Sequence, residues 1–368
     1  MCLNSYFAIA LRYAFGMLLL IGIATGCRDF DLPPSNIDEI EWVATESNIE
    51  LARLAITSNG TLVGIVDENP RRVVRSRNRG ATWEQVLTTP AEWETLSGHI
   101  ATGPDGRVYV IMLGEADAKG NRTIGVYRST DHGLNWRELD ATLLAAGVNA
   151  LVVSGRGTVF LGTTGLGSQG LYRSENGGET WEPTMLTAGP LSEGRIHPQS
   201  LAFGRGGLVL AAFFTLEANR AGLYRSEDDG ENWLRLGNPP FVPGSLAIAR
   251  TGTTFGIGRV LNEPAFSQTL FLSPDEGSSW FPTSLILEQN AVPTITTTPR
   301  EQVFVAAGFS GIFRSVDDGE TWEPMNEGLP ISPLGLLQVN VSQVLIAPDG
   351  YLYANTNSGL YRSAARVE

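Results

Sequence analysis

The chain of 368 residues holds three histidines, at positions 99, 132 and 197, and two cysteines, Cys2 and Cys27. A zinc or similar centre needs His, Cys or carboxylate ligands at short regular spacing, and neither set provides it, so no metal site is expected. Glycoside hydrolysis needs two carboxylates facing each other across a cleft. Glu68, Glu92, Glu115, Glu193, Glu217 and Glu263 are available, but no spacing among them singles out a pair. The run Gly162-Thr163-Thr164-Gly165-Leu166-Gly167 lies between strand-like segments rather than ahead of a helix. It is therefore not read as a phosphate cradle, and no cofactor is expected. Trp93, in Thr89-Pro90-Ala91-Glu92-Trp93-Glu94, is a candidate aromatic for stacking on a sugar or anchoring a protein partner, or equally a packing staple between neighbouring units of the fold. The formal charge of -13 and a single lysine, Lys119, exclude nucleic acid as a partner, because no basic run exists to release counterions from a phosphate backbone.

The elements that hold these residues are legible in the composition. Hydrophobic residues make up 42% and charged residues 18%, and there are 42 glycines, which fits a packed, turn-rich, all-β chain better than a helical bundle with charged solvent faces. Six segments share one pattern, a Ser, an Asp or Asn two places on, a Gly two further and a Trp three beyond that. They are Ser76-Asn78-Gly80-Trp83, Ser129-Asp131-Gly133-Trp136, Ser174-Asn176-Gly178-Trp181, Ser226-Asp228-Gly230-Trp233, Ser273-Asp275-Gly277-Trp280 and Ser315-Asp317-Gly319-Trp322. The copies recur about every 40 to 50 residues, the signature of a repeat architecture. Each part suits a hairpin turn: the Asp or Asn side chain bonds backbone N–H groups ahead of it, the Gly takes a positive φ, and the Trp packs beneath.

These motifs resemble the Asp-box, or BNR, repeat of sialidase-like β-propellers, and the resemblance covers Ile40 to the end of the chain. It implies four-stranded blades in which each box joins the third and fourth strands. Short alternating runs precede the boxes, for example Val126-Tyr127-Arg128 and Leu171-Tyr172-Arg173. A seventh run, Gly359-Leu360-Tyr361-Arg362-Ser363, stops before its box is complete, whereas Glu39-Ile40-Glu41-Trp42-Val43 looks like the strand that follows one. The expected fold is a seven-bladed β-propeller of four-stranded blades, with the N-terminal strand completing the last blade and removing the free sheet edge.

Ahead of the propeller, Met1 to Arg12 is weakly basic, Tyr13 to Ile23 is apolar but too short to span a bilayer, and Ala24-Thr25-Gly26-Cys27 follows. This resembles a bacterial lipoprotein signal peptide. The resemblance implies cleavage before Cys27, lipidation of its thiol, and, with Arg28 following, export to the outer membrane or cell surface. The domains expected are a signal peptide at 1–26, a lipid-anchored tether at 27–37 and the propeller at 38–368.

In that architecture, tight turns between the first and second strands, such as Asn59-Gly60, Asp105-Gly106 and Asp349-Gly350, share a face with the boxes. The opposite face carries connections of varied length, the usual place for binding residues on a rigid scaffold. Counting back from the turns gives an apolar series, Leu54, Ile100, Leu151, Leu201, Leu246, Ile295 and Val344, expected to pack between blades. One residue earlier stand Arg53, His99, Ala150, Ser200, Ser245, Thr294 and Gln343. Arg53, His99 and Gln343 fall on consecutive blades near the channel mouth, either as binding groups or as partners of strand-end carbonyls. The recurrent Arg75, Arg128, Arg173, Arg225, Arg314 and Arg362 read as structural, because a symmetric position does not build an asymmetric site.

The resemblance also implies a catalytic set for sialidases: three arginines, a Tyr–Glu pair and an Asp, with a Phe/Tyr-Arg-Ile-Pro motif. The motif's arginine aligns with Glu50, and the look-alike Arg195-Ile196-His197-Pro198 carries an inserted His in the fourth blade. The expected function is non-catalytic binding of a protein or glycan by a monomer anchored to the membrane through lipid, as in photosystem assembly-factor and sortilin-type propellers. The alternative is an exo-acting glycoside hydrolase of the sialidase-like or xyloglucanase-like kind.

Overall fold

The computed structural model describes residues 40–47, 49–66, 68, 71–88, 95–116, 122–140, 148–163, 170–188, 196–215, 220–260, 268–287, 294–332 and 337–367. One compact unit spans Glu39–Glu368. The segments expected to be signal peptide and tether, with Cys27, lie outside the described residues, as does Trp93.

Seven four-stranded antiparallel sheets make up the unit, and in six of them the strands follow in chain order. The innermost strands are Leu51–Ile56, Thr95–Thr102, Val148–Val153, Ile196–Phe203, Phe241–Ile248, Thr294–Thr297 and Val341–Ile346, numbered here as blades one to seven. Each touches the innermost strands of the blades before and after it, and the seventh touches the first, so the ring is closed. The chain is a seven-bladed β-propeller.

Second strands such as Leu62–Val66, Val159–Thr163 and Leu352–Thr356 are buried at every position. The third strands, where alternation was expected, are also buried on both faces, as in Gly359–Ser363, with Arg362 the one partly exposed residue. The physical reason is that a blade is sandwiched between two others, so neither face meets water and a continuous apolar run is favoured over alternation. Fourth strands lie at the rim and are short and open, as in Glu84–Thr88 and Glu182–Pro183.

Seven apolar clusters fill the seven interfaces between neighbouring blades. Leu54 joins Tyr353 and Leu360 of the seventh blade, Leu151 joins Tyr109 and Val126 of the second, and Val344 joins Phe304 and Ile312 of the sixth. The apolar series read from the turns is thus the innermost layer of every interface.

Closure occurs as expected. The seventh sheet runs Val341–Ile346, Leu352–Thr356, Gly359–Ser363 and then Trp42–Ala44 from the other end of the chain. Val43 pairs with Arg362 as Glu182 pairs with Arg173, which makes Trp42 the equivalent of Trp181. Trp42 is 2% exposed, its indole N–H donates to the Met325 carbonyl at 2.7 Å, and its backbone N–H donates to Glu327 O at 2.8 Å. Gly328 lies against it at φ +84, where an added Cβ would stand 2.1 Å from the Trp42 carbonyl oxygen.

Candidate functional site

The box turns are built alike. In the first, the Ser76 hydroxyl donates to Asn78 Oδ1 at 2.9 Å, and that oxygen also accepts the Thr82 N–H at 2.9 Å. The Gly N–H donates to the Ser oxygen at 2.7–2.9 Å in all six copies. Two successive residues have positive φ, not the Gly alone: Arg79 and Gly80, His132 and Gly133, Asp229 and Gly230. This is the primed turn whose twist matches antiparallel strands. The Trp N–H closes onto the Gly carbonyl in four boxes, while Trp83 donates to Ser47 Oγ, which itself donates to Gly80 O. Burial raises the Asp131 carboxyl, but the Asn135 N–H, the Ser129 hydroxyl, the Asn135 amide and the Leu134 N–H together hold it down to about 2. Asp228 is held down to about 2 in the same way, and Asp275 and Asp317 are lowered.

The recurrent arginines staple one blade to the box of the next. Arg75 Nε donates to His132 O at 3.0 Å, Arg128 Nη1 to Gly177 O at 2.7 Å, and Arg225 pairs with Glu276 at 3.2 Å. Box residues also hold the first-to-second-strand turn of the preceding blade, as Asp229 does with the hydroxyls of Ser154 and Thr158, and Asp318 with those of Thr251 and Thr253. Boxes and tight turns therefore share one face, and these bonds hold it together.

Toward the opposite mouth, six of the seven innermost strands carry a β-bulge, between Leu51 and Arg53, Thr95 and Ser97, Val148 and Ala150, Pro198 and Ser200, Pro243 and Ser245, and Val341 and Gln343. A bulge bends the strand and re-aims the side chains beside it. The residues singled out by counting from the turns sit here. His99 Nε2 donates to Val148 O of the next blade at 3.0 Å, and Gln343 Oε1 accepts the Leu54 N–H of the first blade at 2.9 Å. Ser200 and Thr294 bond the next blade in the same sense, to Leu246 N at 2.9 Å and Ser342 O at 3.3 Å. Polar side chains thus stitch the innermost strands around the channel.

The structure brings Gln343, Arg53 and His99 onto consecutive innermost strands, and it gives them different environments. Arg53 is exposed and donates to Ala52 O at 2.9 Å. His99 is pushed down to about 4, first by burial and then by the Arg53 cation, against the Val148 carbonyl bond. It is a neutral imidazole at pH 7. Glu50 is exposed on the approach to this mouth. Glu68 is exposed and paired with Arg72. Glu92, Glu193, Glu217 and Glu263 lie outside the described residues, and of Glu115 only the backbone is described.

Asn355 escaped the sequence reading. It is fully buried on a second strand, its amide donates to Leu51 O at 2.9 Å and to Gln343 Oε1 at 3.3 Å, and it locks the seventh blade to the first. A lone amide in the apolar run Leu352-Tyr353-Ala354-Asn355-Thr356 was the available signal.

No family model matches the chain, and no curated protein matches it. Among solved structures, it is similar to YCF48 bound to D1 peptide, at 15% identity, 89% of this chain, 96% of that one and a TM-score of 0.57. It is likewise similar to YCF48 from Cyanidioschyzon merolae, at 15% identity, 88% and 98% coverage and a TM-score of 0.56. A third similar structure is an α-L-arabinofuranosidase from Fusarium graminearum in complex with an iminosugar inhibitor, at 16% identity, 89% and 97% coverage and a TM-score of 0.50. At such identities the shared property is the propeller fold.

Proposed function

We propose that this chain is a non-catalytic, lipid-anchored, extracytoplasmic propeller, acting as a monomer, that binds a protein or glycan through the face opposite the Asp boxes. One observation carries the reading: turn bonds and staples repeat from blade to blade on the box face, whereas the opposite mouth places a different residue on each blade, among them Arg53 and His99. A cation beside a neutral imidazole suits recognition of a carboxylate, from a peptide or an acidic sugar, better than proton transfer near pH 7. The similar YCF48 structure is of a propeller bound to a peptide, and the similar arabinofuranosidase holds a sugar-like inhibitor, so both ligand classes are accommodated by this fold.

A glycan array and a peptide array on the protein, run beside chromogenic glycosides that include sialosides and arabinofuranosides, test the reading. Binding without turnover is expected. Turnover abolished by replacing a single carboxylate would move the protein to the glycosidase alternative. For the anchor, Cys27→Ser should release the protein from the membrane fraction, because acyl chains supply the membrane affinity. An unmodified mature terminus at another residue, seen by mass spectrometry, would remove the lipoprotein reading.

A further inference from the structure

The seam where the ring closes has an unusual charge. Most recurrent arginines meet a carboxylate: Arg75 pairs with Glu84 at 3.1 Å, Arg128 with Glu179 at 2.8 Å, Arg225 with Glu276 at 3.2 Å and Arg314 with Glu323 at 3.8 Å. Arg362 faces the first box, whose sequence Ser76-Arg77-Asn78-Arg79-Gly80 holds two arginines and no acid, where the fifth box offers Glu276. Among the described residues Arg362 has no ion pair, and the Arg366 that follows it has none either. Instead Arg79, Arg362 and Arg366 gather around one ring, with guanidinium carbons 4.7, 4.8 and 5.7 Å from the Tyr351 centroid. The one carboxylate paired here is Asp349, 3.0 Å from Arg79. Buried guanidinium Nε atoms without partners occur at Arg128, Arg173 and Arg314 as well as Arg362, so the distinguishing feature of the seam is the missing acid.

Three guanidiniums around one ring and a single paired carboxylate leave an excess of positive charge at this place in a strongly acidic protein. A planar guanidinium presents a donor fork that matches the oxygens of a tetrahedral anion, and the Tyr351 ring holds all three cations within 5.7 Å of its centroid. We propose that Arg79, Arg362 and Arg366 form an oxyanion site at the closure seam that takes a phosphate group, supplied by an anionic lipid headgroup or by a soluble phosphate. The chain itself enters the propeller at this seam, since the Ala364 N–H donates to Glu41 O at 2.7 Å beside the Trp42–Ser363 pair. In the sequence, 14 positions separate Cys27 from Glu41. The lipid source, though not the phosphate site, rests on the lipoprotein reading; it would turn the box face to the membrane and leave the opposite face outward.

The test uses residues 28–368, which keep every described strand of the closed ring. Binding is measured to inorganic phosphate, to phosphatidylcholine vesicles and to phosphatidylcholine vesicles containing phosphatidylglycerol. The comparison is with Arg362→Gln plus Arg366→Gln, with Arg366→Gln alone in case the pair perturbs folding, and with Arg156→Gln as the charge change equal to that single variant elsewhere on the box face. The expected result is phosphate binding that weakens about tenfold in the Arg362 and Arg366 variants and not in Arg156→Gln, as for lost charge-assisted contacts. If phosphatidylglycerol vesicles bind with the same variant dependence and phosphate competes, the headgroup is the source. Phosphate binding with no vesicle binding assigns a soluble phosphate and leaves the anchor to the mass-spectrometric test. Equal binding by the parent and the Arg362 and Arg366 variants in every arm overturns the site.

Discussion

His99 links the channel mouth to pH. Its folded pKa of about 4 lies below the ordinary 6.5 because burial and the neighbouring Arg53 disfavour the charged ring. Between those values the unfolded chain binds a proton that the folded chain refuses, so stability is intact above 6.5 and falls as pH drops toward 4, by on the order of 3 kcal/mol. His99→Gln, which keeps an N–H donor for Val148 O, should flatten that limb of a melting-temperature profile, and Arg53→Ala should raise the His99 pKa in an NMR titration. An unchanged limb in His99→Gln would assign it to another group. The box carboxylates act at lower pH and with the same sign: Asp131 is held near 2 against an ordinary 3.8, so its contribution is present above 3.8 and lost as pH falls through about 2. In the first and third boxes the position is Asn, whose amide donates to Thr82 or Thr180 Oγ1. Asp131→Asn with Asn135→Thr reproduces that chemistry and should lessen the acid loss of stability with little change at pH 7, as read from acid unfolding by circular dichroism.

A strand of three residues, Trp42–Ala44, determines whether the seventh blade has an edge. Its Trp fills the place that box tryptophans fill elsewhere, with an N–H bonded across to the sixth blade. Trp42→Ala should cost about 3 to 5 kcal/mol, the usual range for emptying a buried aromatic site, measured by urea unfolding. Trp42→Phe should recover the packing and lose the bond to Met325. Deleting residues 38 to 46 should lower stability further by exposing the edge of Gly359–Ser363, and a deletion variant that melts like the parent would remove the closure argument. The turns are less critical singly: Asp317→Ala removes acceptors for Thr321 N and the Ser315 hydroxyl and should cost about 1 kcal/mol.

Across the whole molecule the two faces have different duties. Turn bonds and staples repeat around the box face, and repetition favours symmetric stabilisation over a single site except at the closure seam, where the first box has no acid. The opposite mouth breaks the symmetry, with Arg53, His99, Ala150, Ser200, Ser245, Thr294 and Gln343 at one structural position. Asp317→Ala should therefore leave ligand binding unchanged, while replacing Arg53, His99 and Trp93 together by Ala should weaken it with the fold retained. The comparison uses whichever ligand the arrays identify. Loss of binding in folded Asp317→Ala, with none in the triple variant, would reverse the assignment of faces.

The box repeat determined the fold by itself, because each copy names its turn and strand pair locally and the split seventh copy names its missing partner. Trp42 was legible as that partner since the pattern of residues after a box does not depend on where in the chain it occurs. Arg75, Arg128 and Arg225 were legible as structural for the same reason. What only the tertiary structure decided are the relations between blades: that Gln343 reaches Leu54 across 289 positions of sequence, that Asn355 locks the same interface, and that Tyr351 gathers three guanidiniums. Sequence spacing describes neighbours along a strand, whereas these contacts depend on how twisted sheets stack and where bulges turn individual side chains.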